Sequence, residues 1–186
     1  MLRVRRARIP SREATELYEK AFPFHERRSR EHHISKAATE PDFYTMEVDT
    51  ECGEFVGILY YWHWEQHALL FVEHLAIVPH LRGRGYGHKL LRLIELPETC
   101  IMLEIEPVTD TLTARRLNFY ESAGFVRLPY PHVQLPYHCG GEPVVLELLS
   151  RQSNGLPATP TQAAILEQML HTQVMSHIRE KSCGGE

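Results

Sequence analysis

Leu75-Ala76-Ile77-Val78-Pro79-His80-Leu81-Arg82-Gly83-Arg84-Gly85-Tyr86-Gly87-His88 is the stretch on which the fold turns. An apolar run ends at Pro79, a polar turn carries three alternate glycines, and apolar residues then recur at Tyr86, Leu90, Leu93 and Ile94. The pattern predicts a strand, a tight turn over 82–87 and an amphipathic helix. In such a turn glycines remove side chains, backbone N–H groups converge, and the helix dipole favours negative charge. The turn reads as a cradle for an anion, and a diphosphate is its natural guest.

Spacing separates the ligands that such turns hold. A Walker A loop ends in Gly-Lys-Ser/Thr, whereas Gly87 is followed by His88 and Lys89. A dinucleotide fingerprint places its third glycine three residues after the second, and His88 occupies that place here. Neither class fits.

On the N-terminal side, strands are expected at 2–8, 42–49, 54–64 and 68–78, the last three joined by short connections that favour antiparallel hairpins. Leu2 and Val4 alternate with Arg3 and Arg5, which reads as a half-buried strand rather than a basic arm. Helices are expected over 11–22, where Pro23 stops the pattern, and over the polar stretch 26–38. On the C-terminal side a strand at 100–106, a helix at 111–123 capped by Gly124, and strands at 125–128 and 143–149 follow. A linker over Ser150–Ala158 leads to a last helix, opened by Thr159, Pro160 and Gln162 as a capping box. Its stripe is Leu166, Leu170, Val174 and Ile178. The order of elements is that of an α+β or mixed α/β protein.

Arg82-x-x-Gly85-x-Gly87 resembles the Arg/Gln-x-x-Gly-x-Gly/Ala signature of the GNAT N-acetyltransferase superfamily. Asn118-Phe119-Tyr120-Glu121-Ser122-Ala123-Gly124-Phe125 resembles the Tyr-x-x-x-Gly-Phe element that ends the next helix in the same superfamily. The two motifs stand in order, with a strand and a helix between them, and the resemblance spans about residues 2–150. Phe22-Pro23-x-x-Glu26-Arg27 and Leu103-Glu104-Ile105-Glu106-Pro107 resemble a poorly characterised bacterial branch of that superfamily. The resemblance implies an acyl-CoA acyltransferase fold: a mostly antiparallel, splayed sheet of about six to seven strands flanked by helices. Residues 1–150 would form that domain. Residues 151–186 would be a linker and a helix packed on the core or on a partner subunit.

The resemblance also implies chemistry. Acetyl-CoA would serve as co-substrate, with no metal, and the acetyl group would pass to a primary amine by direct attack. The backbone of Arg82, Gly83, Arg84, Gly85, Tyr86 and Gly87 would hold the pyrophosphate, with Arg84 or Lys89 near the outer phosphates. The pantetheine arm would lie along Ala76, Ile77 and Val78, and an N–H near Leu75 or Ala76 would polarise the thioester carbonyl. Asn118 and Tyr120 of the second motif would also meet the cofactor. Tyr120 would protonate the leaving thiolate, since a phenol of pKa about 10 keeps its proton at neutral pH. Glu73 is the base that the resemblance implies, since family members with assigned bases carry them on this strand at positions equivalent to 71 or 73; a charged residue inside an apolar strand is costly without a task or a partner, and a salt bridge to a neighbouring strand is the alternative. Glu104, Glu106 and Glu26 compete for that role or bind the amine, and the loop holding Tyr130, His132, Tyr137 and His138 is an acceptor wall or an ordinary surface connection.

Composition narrows the setting. The chain has 186 residues, 43% of them apolar, 24% charged, and a net charge of −4, the profile of one globular domain rather than a nucleic-acid binder. Four dispersed cysteines form no CxxC pair, and the twelve histidines show no HExxH spacing. Cys139 as a covalent nucleophile is set aside, because GNAT enzymes usually transfer directly. With no signal-peptide pattern and no apolar run of about 20 residues, a reducing, cytoplasmic setting without membrane contact is expected. Two other functions stay open: a module that binds acetyl-CoA or a partner as a sensor, and a homodimer built on the last helix.

Overall fold

A computed structural model describes residues 2–176. They form two compact units, one of residues 2–64 with 72–96 and one of residues 65–71 with 97–176.

The first unit is built on antiparallel strands β1 (Leu2–Arg6), β2 (Phe43–Thr50), β3 (Phe55–Trp64) and the larger part of β4 (Leu69–Ile77). Leu2 stands opposite Thr50, and Phe43 opposite Trp62, with a bulge at Val48/Asp49. β3 is buried almost end to end, with Val56, Ile58, Leu59, Tyr60, Trp62 and Trp64 all at 0% exposure. Gly57 interrupts that run for a steric reason. A Cβ there would stand 2.2 Å from the Ala76 carbonyl oxygen, so only glycine admits this approach of β3 to β4.

Helix α1 (Arg12–Ala21) starts where the Ser11 hydroxyl accepts from the Ala14 N–H at 3.2 Å. It buries Ala14, Leu17 and Tyr18, and the chain turns extended at Phe22 before Pro23. Helix α2 (Arg30–Thr39) begins four residues later than its polar pattern suggested, because Ser29 supplies the cap and Phe24–Glu26 form a separate 3-10 turn. Helix α3 (Tyr86–Arg92) follows the glycine turn. Leu90 and Leu91 are its buried residues and Ile94 is buried in the turn just beyond it, whereas Leu93, expected on the apolar stripe, is 38% exposed. The helix ends at Arg92, so the 3.6-residue period does not extend to position 93. β1 departs from expectation too. Only Leu2 is partly buried, and Val4 is 41% exposed.

The second unit contains the opening residues Leu69–Phe71 of β4, then β5 (Cys100–Ile105), α4 (Thr111–Ser122), β6 (Val126–Arg127), β7 (His132–Gln134), β8 (Val144–Arg151) and α5 (Pro160–Met169). β8 lies between β5 and β6 and also pairs with β7, antiparallel in each case. Asp110 caps α4 through a capping box with Thr113, and Thr159 with Gln162 does the same for α5. The expected linker is partly strand: Ser150 and Arg151 belong to β8, and the buried Ala158 donates its N–H to the Ser150 hydroxyl at 2.8 Å. α5 continues as a π-helical turn, Leu170–Val174, which its sequence pattern did not announce. Leu166, Leu170 and Val174 are buried as expected, and Ile178 lies outside the described residues.

The fold class is mixed α/β, as expected, with eight strands among the described residues, one more than the upper expected number, flanked by helices. The additional strand is β7, which the proline-rich composition of its surroundings had suggested was loop. Among the described residues no helix is long and apolar enough to cross a membrane.

Candidate active site

The glycine turn in the first unit has a main chain left open by its conformation. Gly83 and Gly85 take φ of +74° and +76°, where other residues are strained, and a Cβ on either would meet nothing within 4 Å. Among the described residues, the amides from Gly83 to Gly87 donate to no protein acceptor; the first amide of this segment engaged by α3 is that of Lys89, bonded to the Gly85 carbonyl at 3.2 Å. The turn is pinned to β4 by Arg82, whose Nε donates to the Ile77 carbonyl at 3.0 Å. Arg84 is exposed, and the Lys89 ammonium stands 5.1 Å from the Tyr86 ring centroid. Converging free N–H groups, open space and nearby cations are what a pyrophosphate requires.

β4 offers its main chain. The Val78 N–H donates to the Val56 carbonyl at 3.0 Å, and the Ala76 carbonyl faces Gly57, so these residues turn toward β3. Alternate residues, Glu73 and Leu75 among them, turn their main-chain groups to the opposite edge. Glu73 is half-buried although its side chain is only 1% exposed, so what stays open there is backbone.

The Glu73 side chain is engaged inside the unit. It meets the Arg28 guanidinium at 2.6 Å, with Arg28 at 0% exposure, and accepts from Trp62 Nε1 at 2.8 Å. Burial pushes the carboxyl pKa up, but Arg28, the neighbouring His74 and the two hydrogen bonds outweigh it, and the pKa falls to about 2. Glu73 is thus an anion that anchors Arg28. Arg28 in turn lies 5.5 Å from the Phe43 ring centroid and takes the Tyr18 hydroxyl as acceptor for its main-chain N–H at 3.1 Å. His74 Nε2 bonds the Glu26 carbonyl at 3.1 Å, which ties the Phe24–Glu26 turn to β4, while the Glu26 carboxylate stands beside His25 at 3.5 Å on the surface.

Two histidines in this cluster carry a pH consequence. His33 packs between Tyr18 and Tyr60 at 4.6 and 4.7 Å, and neither ring nitrogen has a partner among the described residues. Burial, then Arg28 and His74, lower its pKa to about 3; burial lowers that of His74 to about 4 against the pull of Glu73. Both rings ordinarily titrate near 6.5, so below that pH the unfolded chain binds protons that the folded chain refuses. Stability therefore falls as pH drops from about 6.5 toward 4, by about 1.4 kcal/mol per pH unit for each ring. Urea denaturation across that window is expected to show a slope of about two protons, and His33→Phe to halve it; an unchanged slope would refute the assignment.

In the second unit, Tyr120 lies in the last turn of α4. Its carbonyl accepts the N–H groups of Ala123 and Phe125, each at 3.0 Å, which fixes the turn at Gly124. The ring stands 4.9 Å from Phe119 and 5.8 Å from Phe125, and its hydroxyl has no hydrogen-bond partner among the described residues. Burial pushes the phenol up to about 12, so it holds its proton at neutral pH. Asn118 is exposed on the same helix. Glu104, on β5, has its side chain nearly closed to solvent and bonded to His132 and to Gln134 Nε2, the latter at 2.6 Å. Glu106 pairs with Arg116, and Tyr137 is 3% exposed, packed rather than presented to solvent. No group of three or more His, Cys, Asp or Glu among the described residues is placed to hold a metal.

Sequence reasoning did not foresee Arg28, His33, His74 and His132 as partners. The one available signal was Glu73 itself, since a carboxylate inside a hydrophobic strand demands a cation from elsewhere.

A strand with main chain exposed at Glu73, a glycine turn with uncommitted amides and a later helix with a protonated tyrosine in its last turn are the parts of an acyltransferase-type fold. Residues 39–127 match the family model described as an acetyltransferase (GNAT) domain, the family that its two motifs resemble. It is 30% identical over 106 residues to YjbC of Bacillus subtilis (strain 168), whose name places it with the acetyltransferases; the match takes in 56% of this chain and 52% of that one. The chain thus spans about half the length of that curated relative. In structure it is similar to a GNAT-family protein of Bacteroides thetaiotaomicron, with a TM-score of 0.77, 29% identity, and coverage of 88% of this chain and 90% of the other. Its fold is also similar to a single-site variant of the spermidine N-acetyltransferase SpeG from Vibrio cholerae, with a TM-score of 0.62, 16% identity, and coverage of 84% and 97%.

Proposed function

We propose that this chain is an N-acetyltransferase that moves the acetyl group of acetyl-CoA to a primary amine of a small molecule or peptide, in a cytoplasmic setting. The reading rests on the run of unengaged amides from Gly83 to Gly87, which is of no structural use to the protein itself. Those amides hold the pyrophosphate, with Arg84 and Lys89 as outer cations, and the main chain of β4 at Leu75 to Val78 receives the pantetheine alongside it. Bound acetyl-CoA supplies the activated acyl group. Tyr120 protonates the departing sulfur, and Asn118 stands on the same helix. Glu26, Glu106 and Tyr137 are assigned to the acceptor, with Glu73 fixing the strand beside it. Residues 1–150 carry this activity, with 151–186 as an appended segment.

Isothermal titration with coenzyme A tests the cradle. Wild type is expected to bind, and Gly85→Val to lose ~10-fold or more in affinity, because valine cannot hold a positive φ without strain of ~1–3 kcal/mol. Equal affinity for both would remove the cradle from the argument. A thiol-release screen over primary amines then separates enzyme from sensor: binding with no release from any amine points to the sensor.

A further inference from the structure

In a regular strand successive side chains point to opposite faces, so their tips stand far apart. Glu73 and His74 on β4 break that rule. Glu73 Oε1 and His74 Nδ1 are 4.0 Å apart, with the side chains 1% and 3% exposed. Both pack into the same layer. Glu73 meets Arg28 and Trp62 Nε1, while the His74 ring stands edge-on to Tyr18 at 4.9 Å and to Phe22 at 4.5 Å. Arg28 belongs to that layer too, since its main-chain N–H donates to the Tyr18 hydroxyl. Neighbouring side chains on one side of a strand mark a β-bulge, which bends the strand and redirects its main chain. The bend falls where β4 exposes backbone, at Glu73, and just before Ala76 and Val78, which face β3 at Gly57 and Val56.

No glycine lies at 72–75 to favour a bulge, so its cause is tertiary. The connection between α1 and α2 supplies it. Residues 22–28 are braced by their own hydrogen bonds: Phe22 N–H to the Tyr18 carbonyl at 3.1 Å, Glu26 N–H to the Pro23 carbonyl at 2.9 Å, and Arg27 Nε to the Phe22 carbonyl at 3.1 Å. From that brace two groups reach β4. The Arg28 guanidinium takes Glu73 Oε1 at 2.6 Å. The Glu26 carbonyl takes His74 Nε2 at 3.1 Å, and Nε2 is the donor because a carbonyl only accepts. Each group holds one of the two side chains that a regular strand would part.

We infer that Arg28 and His74 are positioning residues for acyl transfer: from the α1–α2 connection they fix the bend of β4 that aims the Leu75 N–H at the thioester carbonyl. The inference rests on the acetyl-transfer reading, and every group in it belongs to the first unit. Ala76 and Val78 turn toward β3, so by alternation the Leu75 N–H turns away from it. Neither Arg28 nor His74 touches the acyl group. Each acts through the backbone, so a shift of the bend lengthens the hydrogen bond that polarises the carbonyl and leaves the cradle at Gly83 to Gly87 in place.

The test uses the full chain, acetyl-CoA labelled with carbon-13 at the acetyl carbonyl, and an amine active in the thiol-release screen. His74→Phe keeps a ring against Tyr18 and Phe22 and loses the bond to Glu26. Arg28→Met combined with Glu73→Gln removes both buried charges together. In each variant kcat is expected to fall ~10- to 10²-fold, the scale of a misplaced oxyanion donor, with coenzyme A affinity within about threefold of wild type. His74→Gln, whose amide nitrogen stands where Nε2 stood, is expected to recover most of the rate. Infrared spectra taken without amine read the polarisation itself. The carbonyl stretch of bound acetyl-CoA is expected below its free value in the wild type, and back toward the free value in His74→Phe and in the double variant. If His74→Phe fails to fold, the double variant decides alone. Folded variants with the wild-type kcat and the wild-type carbonyl band overturn the inference and leave acetyl transfer standing. Failure of every amine in the wild type overturns the acetyl-transfer reading instead.

Discussion

Tyr120→Phe is expected to lower kcat by ~10²-fold or more, the scale of a lost proton donor, with coenzyme A affinity within about threefold of wild type. Phenylalanine keeps the ring against Phe119 and Phe125, and the turn at Gly124 is held by the Tyr120 main chain, which the substitution leaves intact. The variant therefore removes the hydroxyl and little else. Burial lifts that hydroxyl to about 12, which keeps it protonated through the neutral range. Steady-state kinetics of thiol release, paired with titration of coenzyme A, would measure both quantities. Full activity in Tyr120→Phe would mean that the thiolate leaves unassisted or takes its proton from water.

Arg28→Met is expected to destabilise the first unit by about 3–5 kcal/mol, because it strands a buried carboxylate at Glu73. Arg28 and Glu73 are at 0% and 1% side-chain exposure, so solvent cannot replace the lost partner. Adding Glu73→Gln to Arg28→Met is expected to restore most of the loss. The neutral amide needs no cation and can still accept from Trp62 Nε1. Guanidinium denaturation of wild type, both single variants and the double variant gives the coupling energy directly. A double variant no more stable than Arg28→Met would show that packing against Phe43 and Trp62, rather than charge, is what Arg28 contributes.

The acid sensitivity expected from His33 and His74 arises in the same cluster, so one region sets both the resistance of the unit to acid and the seating of β4. That coupling follows from where the chain places its charge. Glu73 sits on β4, the strand proposed to receive pantetheine, and Arg28 holds its side chain in the interior.

Much of the fold was legible in short windows of sequence. The apolar runs at 54–64 and 68–78, the cap at Thr159, and the glycine spacing at 83–87 each act over a few residues, where steric and hydrogen-bonding rules need no distant partner. The same holds for the two motifs that carry the family. What failed were readings that depend on environment. Leu93 looked apolar and buried, but α3 ends before its period reaches it. β7 was hidden among prolines because a three-residue strand has too little pattern to show, and exists by pairing with β8. The sequence alone determined the cradle and the strand beside it, since a backbone site needs only glycines in register. Tertiary structure alone decided which acids are engaged. Arg28 and Glu73, or Glu104 and His132 at 28 residues apart, meet through sheet register and burial, and no local rule relates the members of either pair.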